Sequence, residues 1–399
     1  MSKQIQDAYI VAATRLPVGK KGGMFKHTRP DDLLAHALKA VVALVPQLDP
    51  ARIGDVIVGC AMPEAEQGMN VARIGVLLAG LPNAVPGYTL NRFCASGLQA
   101  VADAARQIQL GLADVMIGAG VESMSVMPNM MGNKLSPNPA IFADDAHRGI
   151  AYGMGLTAEK VASQWQIGRE AQDAFAVASH QKACAAIAAG HFAAEISPYA
   201  VRQHQPDLTR GEVQLRERVM ATDEGPRADA SAQRLARLRP VFHATGSVTA
   251  GNASQMSDGA AAVMLVSEKV LKEHNLTPLA RFVSYAVAGV PPEIMGIGPI
   301  AAIPKALQQA GIRQDELDWI ELNEAFAAQA LAVQRDLDLD PDTINPLGGA
   351  IALGHPLGAT GAIRTATVVH GLARTAGRYG MVSMCIGTGM GAAGIIERI

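Results

Sequence analysis

The amino-acid sequence predicts an α/β protein built of two similar halves, with one long insertion in the first half. Short β-rich runs alternate with amphipathic helical runs along most of the 399 residues, which is typical of layered α/β proteins. The same order of strand and helix signals occurs twice, and the alternation is interrupted between about residues 122 and 246. This arrangement favours a functional site where the two halves meet.

The first half opens with a strand signal at residues 9–13, followed by a helix signal at residues 31–45. Apolar side chains recur on one face of that helix: Leu33, Leu34, Ala37, Leu38 and Val41. Strand-like runs follow at residues 55–59 and 114–120. This succession predicts a sheet covered by at least one amphipathic helix.

The second half repeats this order, with strand signals at residues 280–287, 317–322 and 380–387 and a helix signal at about residues 300–310. The two halves share a pattern rather than identical residues, and the repetition indicates an internal duplication. The alternative that any α/β protein shows such self-similarity stays open. With a duplication, the N-terminal half spans residues 1–272 and the C-terminal half residues 273–399.

The interrupting segment is predicted to be a loop domain inserted into the N-terminal half. It opens with four methionines, Met124, Met127, Met130 and Met131. A helix-like run lies at about residues 172–189, and an arginine-bearing stretch at residues 210–239. Long irregular insertions usually cover a binding site or form an interface.

Composition excludes several classes of protein. The net charge is −2 and aromatic residues make up 4%, so nothing indicates nucleic-acid binding, and a polyanionic ligand would have to be met by local arginines. Apolar stretches are interrupted well before membrane-spanning length, so we expect no transmembrane segment. Residues 1–7 lack the apolar run of a secretory signal. We therefore expect a cytoplasmic protein.

The four cysteines are Cys60, Cys94, Cys184 and Cys385. Neither a CxxC motif nor a Cys and His cluster with zinc spacing occurs, so we expect reduced thiols and no metal site. Cys60 and Cys184 are interpreted as structural. Cys94 and Cys385 lie in more informative surroundings.

Cys94 precedes a run of apolar residues at helical spacing: Leu98, Val101, Ala105, Ile108 and Leu112. This spacing places the thiol in the first turn of a helix, where unpaired N–H groups and the helix dipole stabilise a thiolate. Its small neighbours Ala95, Ser96 and Gly97 favour exposure at a cavity. The alternative is a buried structural cysteine.

His355 lies in the segment Gly354-His355-Pro356-Leu357-Gly358, which leads through Gly361 into a helix over residues 362–369. The glycines allow close backbone approach and Pro356 restricts the chain, so the imidazole is held rigidly at a helix entrance. Such an imidazole can take a proton from a thiol. A structural histidine on a Gly-rich turn is the alternative.

Cys385 is followed by a glycine run that contains a G-x-G-x-x-G pattern from Gly389 to Gly394. A dinucleotide-binding interpretation fails, because no helix and further strand with an acidic residue follow in the sequence. We interpret the glycines as backbone donors at an oxyanion site beside Cys385.

Asn323 follows the strand-like residues 317–322. Its amide can hold a catalytic water or polarise a carbonyl, or it can cap a helix that begins near Glu324. Both roles stay open. Small and hydroxyl residues fill positions 246–254, which suits a narrow tunnel wall, and nearby arginines such as Arg227 can meet phosphates or form an ordinary solvated face.

Taken together, these segments resemble the thiolase family over essentially the whole chain. The cysteine segment, Asn323-Glu324-Ala325-Phe326, the Gly-His-Pro-Leu-Gly segment and the segment from Cys385 to Gly391 occur in family order and at family-like spacing. The resemblance implies a thiolase fold, in which two βαβαβαββ halves form a five-layered α-β-α-β-α sandwich with an inserted loop domain.

The resemblance also implies roles for individual residues. Cys94 is the nucleophile that accepts the acyl group, His355 activates it, and Cys385 is the acid/base on the acetyl-CoA carbanion. Asn323 and His355 form one oxyanion hole, partly through a water, and the backbone N–H groups of Cys94 and Gly387 form the other. The positions that match CoA-binding residues are Met154, Arg227, Phe242, Ala250, Ser254, Ala325 and Phe326.

The family chemistry is reversible, ping-pong cleavage of 3-ketoacyl-CoA by CoA, with CoA as a substrate and no permanently bound cofactor. The segments at residues 92–96, 152–155 and 295–299 resemble those of degradative thiolases of broad chain length. Biosynthetic acetoacetyl-CoA enzymes usually carry His where this chain has Gly153, which implies more space near the acyl end. We expect a homodimer or homotetramer, with a β-oxidation multienzyme partner possible.

Three alternatives to a degradative thiolase remain. The first is a biosynthetic acetoacetyl-CoA thiolase. The second is a β-ketoacyl synthase, which pairs its cysteine with two histidines or with His and Asn, so that Cys385 argues against it. The third is a non-catalytic acyl-CoA binding protein, which the presence of Cys94, His355 and Cys385 together disfavours.

Overall fold

The computed structural model describes residues 5–127 and 137–399, so Met130 and Met131 lie outside the described residues. The strands are β1 (Ala8–Arg15), β2 (Gly19–Lys20), β3 (Asp55–Gly59), β4 (Gly87–Leu90), β5 (Val115–Ser123), β6 (Tyr199–Asp207), β7 (Glu212–Met220), β8 (Ser257–Ser267), β9 (Ala280–Gly289), β10 (Leu317–Leu322), β11 (Tyr379–Ile386) and β12 (Met390–Arg398). The helices are α1 (Pro30–Ala43), α2 (Val71–Leu78), α3 (Ser96–Gln109), α4 (Met154–Gln164), α5 (Arg169–Ala188), α6 (Ala232–Leu235), α7 (Glu268–His274), α8 (Gly298–Ala310), α9 (Ala327–Asp336), α10 (Ala350–Leu353) and α11 (Leu357–Thr375).

Two blocks of strands join into one mixed sheet, in the order β10-β11-β12-β9-β1-β8-β5-β3-β4, with β2 on β8. In the first block, β3 is parallel to β4 and β5, and β8 runs antiparallel to β5 and β1. In the second, β10 and β11 are parallel, and β12 runs antiparallel to β11 and β9. The order β1-β8-β5-β3 is therefore repeated as β9-β12-β11-β10.

The blocks meet where β1 pairs antiparallel with β9, through Tyr9 with Arg281 and Ile10 with Ala280. Helices α3 and α11 lie between the blocks, because each contacts strands of both. Helices α1 and α2 pack on the outer side of the first block, and α8 on the outer side of the second. The predicted α/β class and five-layered thiolase fold are confirmed.

The two central helices approach each other through glycines. A Cβ placed on Gly361 of α11 would lie 2.1 Å from the backbone N of Leu98, and one on Gly97 of α3 would lie 2.8 Å from the carbonyl O of Gly358. Side chains larger than hydrogen at these positions would push the helices apart. The lack of side chains at these glycines therefore allows the N-terminal turns of α3 and α11 to lie side by side.

Between β5 and β8 the chain leaves the sheet and forms α4, α5, the antiparallel β6–β7 ribbon and α6. A buried ion cluster ties this segment to the sheet. Arg15 of β1 donates to Glu195 at 2.5 Å and to both carboxylate oxygens of Asp223 at 2.7 and 2.9 Å. Because all three side chains are buried and paired, the cluster fixes where the insertion sits. No helix of residues 5–127 and 137–399 is long and apolar enough to cross a membrane.

Candidate active site

Cys94 lies in a one-turn 3-10 helix, Phe93–Ala95, directly ahead of α3. The sequence predicted that Cys94 lies within the first turn of α3 itself, whereas in the structure Cys94 precedes α3. Phe93 adopts a left-handed backbone, with φ of +43°. Local hydrogen bonds stabilise this conformation: the N–H of Phe93 donates to Asn91 Oδ1 at 2.8 Å, and Ser96 Oγ donates to the Phe93 carbonyl at 2.7 Å. The strained turn presents the thiol towards the C-terminal half.

The resting Cys94 is a thiol, which corrects the expectation of a stabilised thiolate. Burial raises the pKa of Cys94 to about 11. The backbone N–H groups of Gly387 and of Cys94 itself lower this pKa, but they do not offset the loss of hydration, and the carboxylate of Glu122 raises it further. The nucleophile therefore needs a base at the moment of attack.

Cys385 is the penultimate residue of β11 and is buried. Burial raises its pKa well above the ordinary thiol value, and the neighbouring charge of Cys94 raises it further. The two sulfur atoms are thus close enough to influence each other, although they lie in different halves of the chain. A thiol that keeps its proton is suited to protonating a carbanion.

The glycines after Cys385 lie in and beside the turn between β11 and β12. They serve different purposes, whereas the sequence interpretation gave them all one. Gly387 directs its N–H to the thiol of Cys94. Gly389, with φ of +90°, forms the turn, and a Cβ on Gly391 would lie 2.0 Å from the backbone of Gly298. Of these three glycines Gly387 is the donor at the site, whereas Gly389 and Gly391 serve the turn and the packing on α8.

His355 is buried immediately before α11. Its Nε2 lies 3.4 Å from Nδ2 of Asn323, and its Nδ1 lies 2.7 Å from Oγ1 of Thr360. Burial, followed by the positive charge of Arg364, lowers the pKa of His355 to about 3. The imidazole is therefore neutral at physiological pH, which leaves one ring nitrogen free to accept a proton.

Asn323 does not cap a helix. The chain stays extended through Phe326, and α9 begins at Ala327 rather than near Glu324. The backbone N–H of Asn323 donates to Ser383 of β11 at 2.8 Å, and its side-chain Oδ1 is buried without a hydrogen-bond partner among the residues that the structure describes. The amide thus faces the site with spare hydrogen-bonding capacity.

The predicted CoA-binding residues fall into two groups, one at a surface cavity and one beside Cys385. Arg227 and Ala250 line a cavity of about 330 Å³. Ser254 donates its N–H to the carbonyl of Ala325 at 2.9 Å, which places the two beside each other. Phe242 and Phe326 make an edge-to-face ring contact, and Met154, Ala325 and Phe326 pack in one apolar cluster with Cys385.

Arg227 does not extend freely into that cavity. Its guanidinium makes two hydrogen bonds of 3.1 Å with Asp229, and Arg234 binds the same carboxylate. The side chains of Arg227, Arg234 and Asp229 are all substantially exposed. An anionic ligand would compete with Asp229 for both guanidinium groups.

Sequence reasoning missed two buried carboxylates that hold the site together. Glu122 accepts the backbone N–H groups of Ala61 and of Gly358, each at 2.8 Å, and so links the loop after β3 to α11. Glu324 accepts from Ser179 at 2.7 Å. Its carboxylate also accepts from the amide of Asn345 and from the backbone of residue 351. At Glu122 the available signal was a charged residue directly after the apolar run of β5, whereas Glu324 lies among other polar residues and gave no such signal.

The described ranges contain no group of three His, Cys, Asp or Glu side chains that could hold a metal ion. The arrangement is two protonated thiols, a neutral imidazole, an amide and backbone N–H groups at the junction of two α/β halves. These elements define a site for thiol-dependent acyl transfer.

Comparison with known proteins identifies the family. The thiolase N-terminal domain matches residues 8–269 and the thiolase C-terminal domain residues 276–398. The chain is 48% identical to a 3-ketoacyl-CoA thiolase of Bacillus subtilis, covering 98% of this chain and 100% of that protein. It is 45% identical to a β-ketoadipyl-CoA thiolase of Acinetobacter baylyi, covering 99% and 100%.

A solved structure agrees with these sequence matches. The crystal structure of an acetyl-CoA acetyltransferase of Bacillus anthracis superimposes with a TM-score of 0.90 at 40% identity, covering 100% of both chains. The chain belongs to the thiolase family and is an acyltransferase. The three relatives are named for different substrates, so their names leave the choice of acyl group to the residues of this chain.

Proposed function

We propose that this chain is a degradative 3-ketoacyl-CoA thiolase, which cleaves its substrate with CoA to give acetyl-CoA and an acyl-CoA two carbons shorter. The observation that carries the proposal is that the turn holding Cys94 packs on β11, which holds Cys385, and on α11, directly after His355, whose ring contacts the amide of Asn323. Two thiols with separate partners allow two separate proton transfers, which Claisen chemistry on a thioester requires.

In the first step Cys94 attacks the 3-keto carbon while its proton passes to Nε2 of His355. The transfer has to accompany the attack, because the pKa of Cys94 is about 11 and that of His355 about 3. The carbonyl electron pair moves onto oxygen, where the N–H groups of Cys94 and Gly387 stabilise the negative charge.

In the second step the bond between C2 and C3 breaks, and its electron pair remains on the acetyl-CoA fragment as an enolate. We expect Asn323 and His355 to donate to the enolate oxygen, while the thiol of Cys385 gives its proton to C2. CoA then attacks the acyl-cysteine and returns a proton to Cys385, while His355 returns its proton to the departing sulfur of Cys94. Every group is thereby restored.

The space beside Gly153 supports a preference for longer acyl chains. A Cβ on this exposed residue would meet no atom of the described residues within 4 Å, and the neighbouring Met154 packs against Gly387 and Cys385. A relative named 3-ketoacyl-CoA thiolase at 48% identity supports the same assignment. The candidate that competes is an acetoacetyl-CoA enzyme, which the acetyl-CoA acetyltransferase among the structural neighbours supports.

The test is CoA-dependent loss of 3-ketoacyl-CoA absorbance across a chain-length series that starts at acetoacetyl-CoA and includes β-ketoadipyl-CoA. We expect turnover to extend to medium and long chains. In Gly153→His the added imidazole should fill the open space, so that activity falls on long chains and is kept on acetoacetyl-CoA. Gly153→Ala is the matched control and should keep the wild-type profile. Wild-type activity confined to acetoacetyl-CoA would contradict the degradative assignment.

The same proposal includes CoA contacts at Met154, Arg227, Phe242, Ala250, Ser254, Ala325 and Phe326. We expect Arg227→Ala to raise KM for CoA with kcat largely unchanged. We further propose a division into halves at residues 272 and 273, a homodimer or homotetramer, and a cytoplasmic enzyme that can associate with a β-oxidation partner. Light scattering that gives a monomer would contradict the oligomeric part.

A further inference from the structure

The backbone of His355 is fixed by the segment that leads into β8. Its N–H donates to the carbonyl of Gln255 at 3.1 Å and to Ser257 Oγ at 3.2 Å. The preceding Gly354 has φ of +95°, and a Cβ there would lie 2.4 Å from Ser257 Oγ. These contacts place the Cα of His355 but leave the rotation of its ring to other neighbours.

The ring itself is held by two neutral groups. Thr360, in the first turns of α11, contacts Nδ1 at 2.7 Å, and Asn323 contacts Nε2 at 3.4 Å. Thr360 is 1% exposed, and the hydrogen bond to His355 is its one side-chain hydrogen bond among the described residues. The reaction steps proposed for Cys94, Asn323 and Cys385 do not involve the hydroxyl of Thr360, so they do not explain why a hydroxyl is buried against the imidazole.

A hydroxyl at Nδ1 has a specific chemical effect. When the hydroxyl oxygen accepts a hydrogen bond from Nδ1–H, the free lone pair of the ring is on Nε2, which is the tautomer that a base facing Cys94 requires. A carboxylate at this place would also orient the ring, but it would stabilise the imidazolium. The charged side chain that acts on His355 from α11 is Arg364, which pairs at 3.3 Å with Glu321 of β10 and disfavours the imidazolium.

We propose that Thr360 is a positioning residue of the thiolase reaction, which fixes the Nδ1–H tautomer and the ring plane of His355 so that Nε2 faces Cys94 and Asn323. The inference rests on the proposed function. During attack the proton of Cys94 moves to Nε2, and the Nδ1 proton stays on the ring. The hydroxyl of Thr360 gains and loses no proton, so its contribution is orientation alone.

The test compares Thr360→Val, which keeps the shape and removes the hydroxyl, with Thr360→Ser, which keeps the hydroxyl. Thr365→Val is the matched control, because Thr365 is equally buried on α11 and bonds to the carbonyl of Gly361 at 2.8 Å. For Thr360→Val we expect kcat of thiolysis to fall about 10- to 100-fold, with KM changed less than about 2-fold. Thr360→Ser should recover kcat to within about 3-fold of wild type.

A second measurement separates this inference from the proposed function. The rate at which iodoacetamide alkylates Cys94 near neutral pH needs Cys94 and its base but no acyl-CoA substrate. We expect Thr360→Val to slow it by a factor similar to the loss in kcat, and Thr365→Val to leave it unchanged. Equal losses in both valine variants, wild-type rates in Thr360→Val, or failure of Thr360→Ser to recover would each overturn the inference, whatever 3-ketoacyl-CoA the enzyme cleaves.

Discussion

The central helices of the two halves occupy equivalent places but begin differently. Helix α3 follows a left-handed residue, Phe93, and begins beside a thiol, whereas α11 follows Gly354 and begins beside an imidazole. Because the repeated strand order places the two helix starts together, the proposed nucleophile and the proposed base come from different halves. The two halves share a strand order and differ in the residues of two short turns.

A second difference lies in the last connection of each half. Strands β5 and β8 are joined by the insertion that carries Arg227 and Phe242, whereas β11 and β12 are joined by three residues, Gly387 to Gly389. The long connection supplies surface for a large ligand, and the short one supplies a rigid corner with one thiol and one N–H donor. The proposed CoA binding and the proposed proton transfer to carbon are therefore assigned to different halves.

The largest expected effect comes from removing one thiol at a time. Cys94→Ala removes the nucleophile, so acylation and thiolysis should both fall by at least about 10³-fold. Cys385→Ala removes the acid/base for carbon, so cleavage should fall by a similar factor while Cys94 still takes an acyl group from acyl-CoA. Intact-protein mass spectrometry measures the acyl-enzyme, and absorbance measures cleavage.

The comparison of the halves fails if the two variants behave alike. Loss of acylation in Cys385→Ala, in a protein that unfolds at the wild-type temperature, would mean that the second thiol also serves the nucleophile. Cys184→Ala provides the control, because Cys184 lies on α5 away from either helix start, and both readouts should match wild type.

The next effect concerns the resting state of the nucleophile. With the pKa of Cys94 raised to about 11, its thiolate fraction should rise about tenfold for each pH unit between pH 7 and 10. Alkylation of Cys94 by iodoacetamide in His355→Gln, where no imidazole assists the thiol, followed by peptide mass spectrometry, measures this dependence. In denaturant the same peptide should titrate near the ordinary thiol pKa of about 8.5. If the alkylation rate of the folded protein reaches a plateau below pH 9, the helix start lowers the pKa of Cys94 more than burial raises it.

A smaller effect tests the contact that brings the helix starts together. A methyl group on Gly97 would lie 2.7 Å from the backbone N of Ala362, so Gly97→Ala should lower the free energy of unfolding by about 2 kcal/mol after its gain in helix propensity. Gly289→Ala, where no atom lies within 4 Å of the new methyl, should change it by less than about 0.5 kcal/mol. Urea unfolding measures both, and equal stabilities would contradict the close approach of α3 and α11.

Periodicity in the sequence predicted the layers because strand and helix patterns depend on which faces are buried. The predicted helix at residues 31–45 is α1, and the predicted strands at residues 55–59 and 317–322 are β3 and β10. The predicted helix start near Glu324 was wrong, because α9 begins at Ala327. Asn323 and Glu324 form tertiary hydrogen bonds instead of capping the helix. Local capping signals do not distinguish these two uses of a polar side chain.

The sequence singled out residues that the structure brings near one another, but it did not indicate their electrostatics. Resemblance singled out Cys94 and His355, whereas the state of the thiol depends on burial by residues far apart in sequence. Glu122 is an example: it contacts residues 61 and 358, so its role arises only when both halves are assembled. Helix position is a local property and desolvation is a global one, and desolvation has the greater influence on the pKa of Cys94.

The last prediction uses the pH dependence of the free energy of unfolding to distinguish His355, before α11, from Cys94, before α3. The pKa of His355 is lowered from the ordinary 6.5 to about 3, so between these values the unfolded chain binds a proton that the native protein does not. The free energy of unfolding should therefore fall by up to about 1.4 kcal/mol for each pH unit below pH 6.5, and this loss should level off near pH 3. His355→Gln should lack this component, so its free energy of unfolding from urea curves should fall less between pH 6.5 and 4 and run parallel to wild type above pH 7.

Cys94, with its raised pKa, acts in the opposite direction: its contribution to the free energy of unfolding is complete below about pH 9 and is lost towards pH 11. Identical acid slopes in wild type and His355→Gln would mean that the imidazole is hydrated in the native state, and the contrast between a base buried at one helix start and a thiol buried at the other would no longer hold.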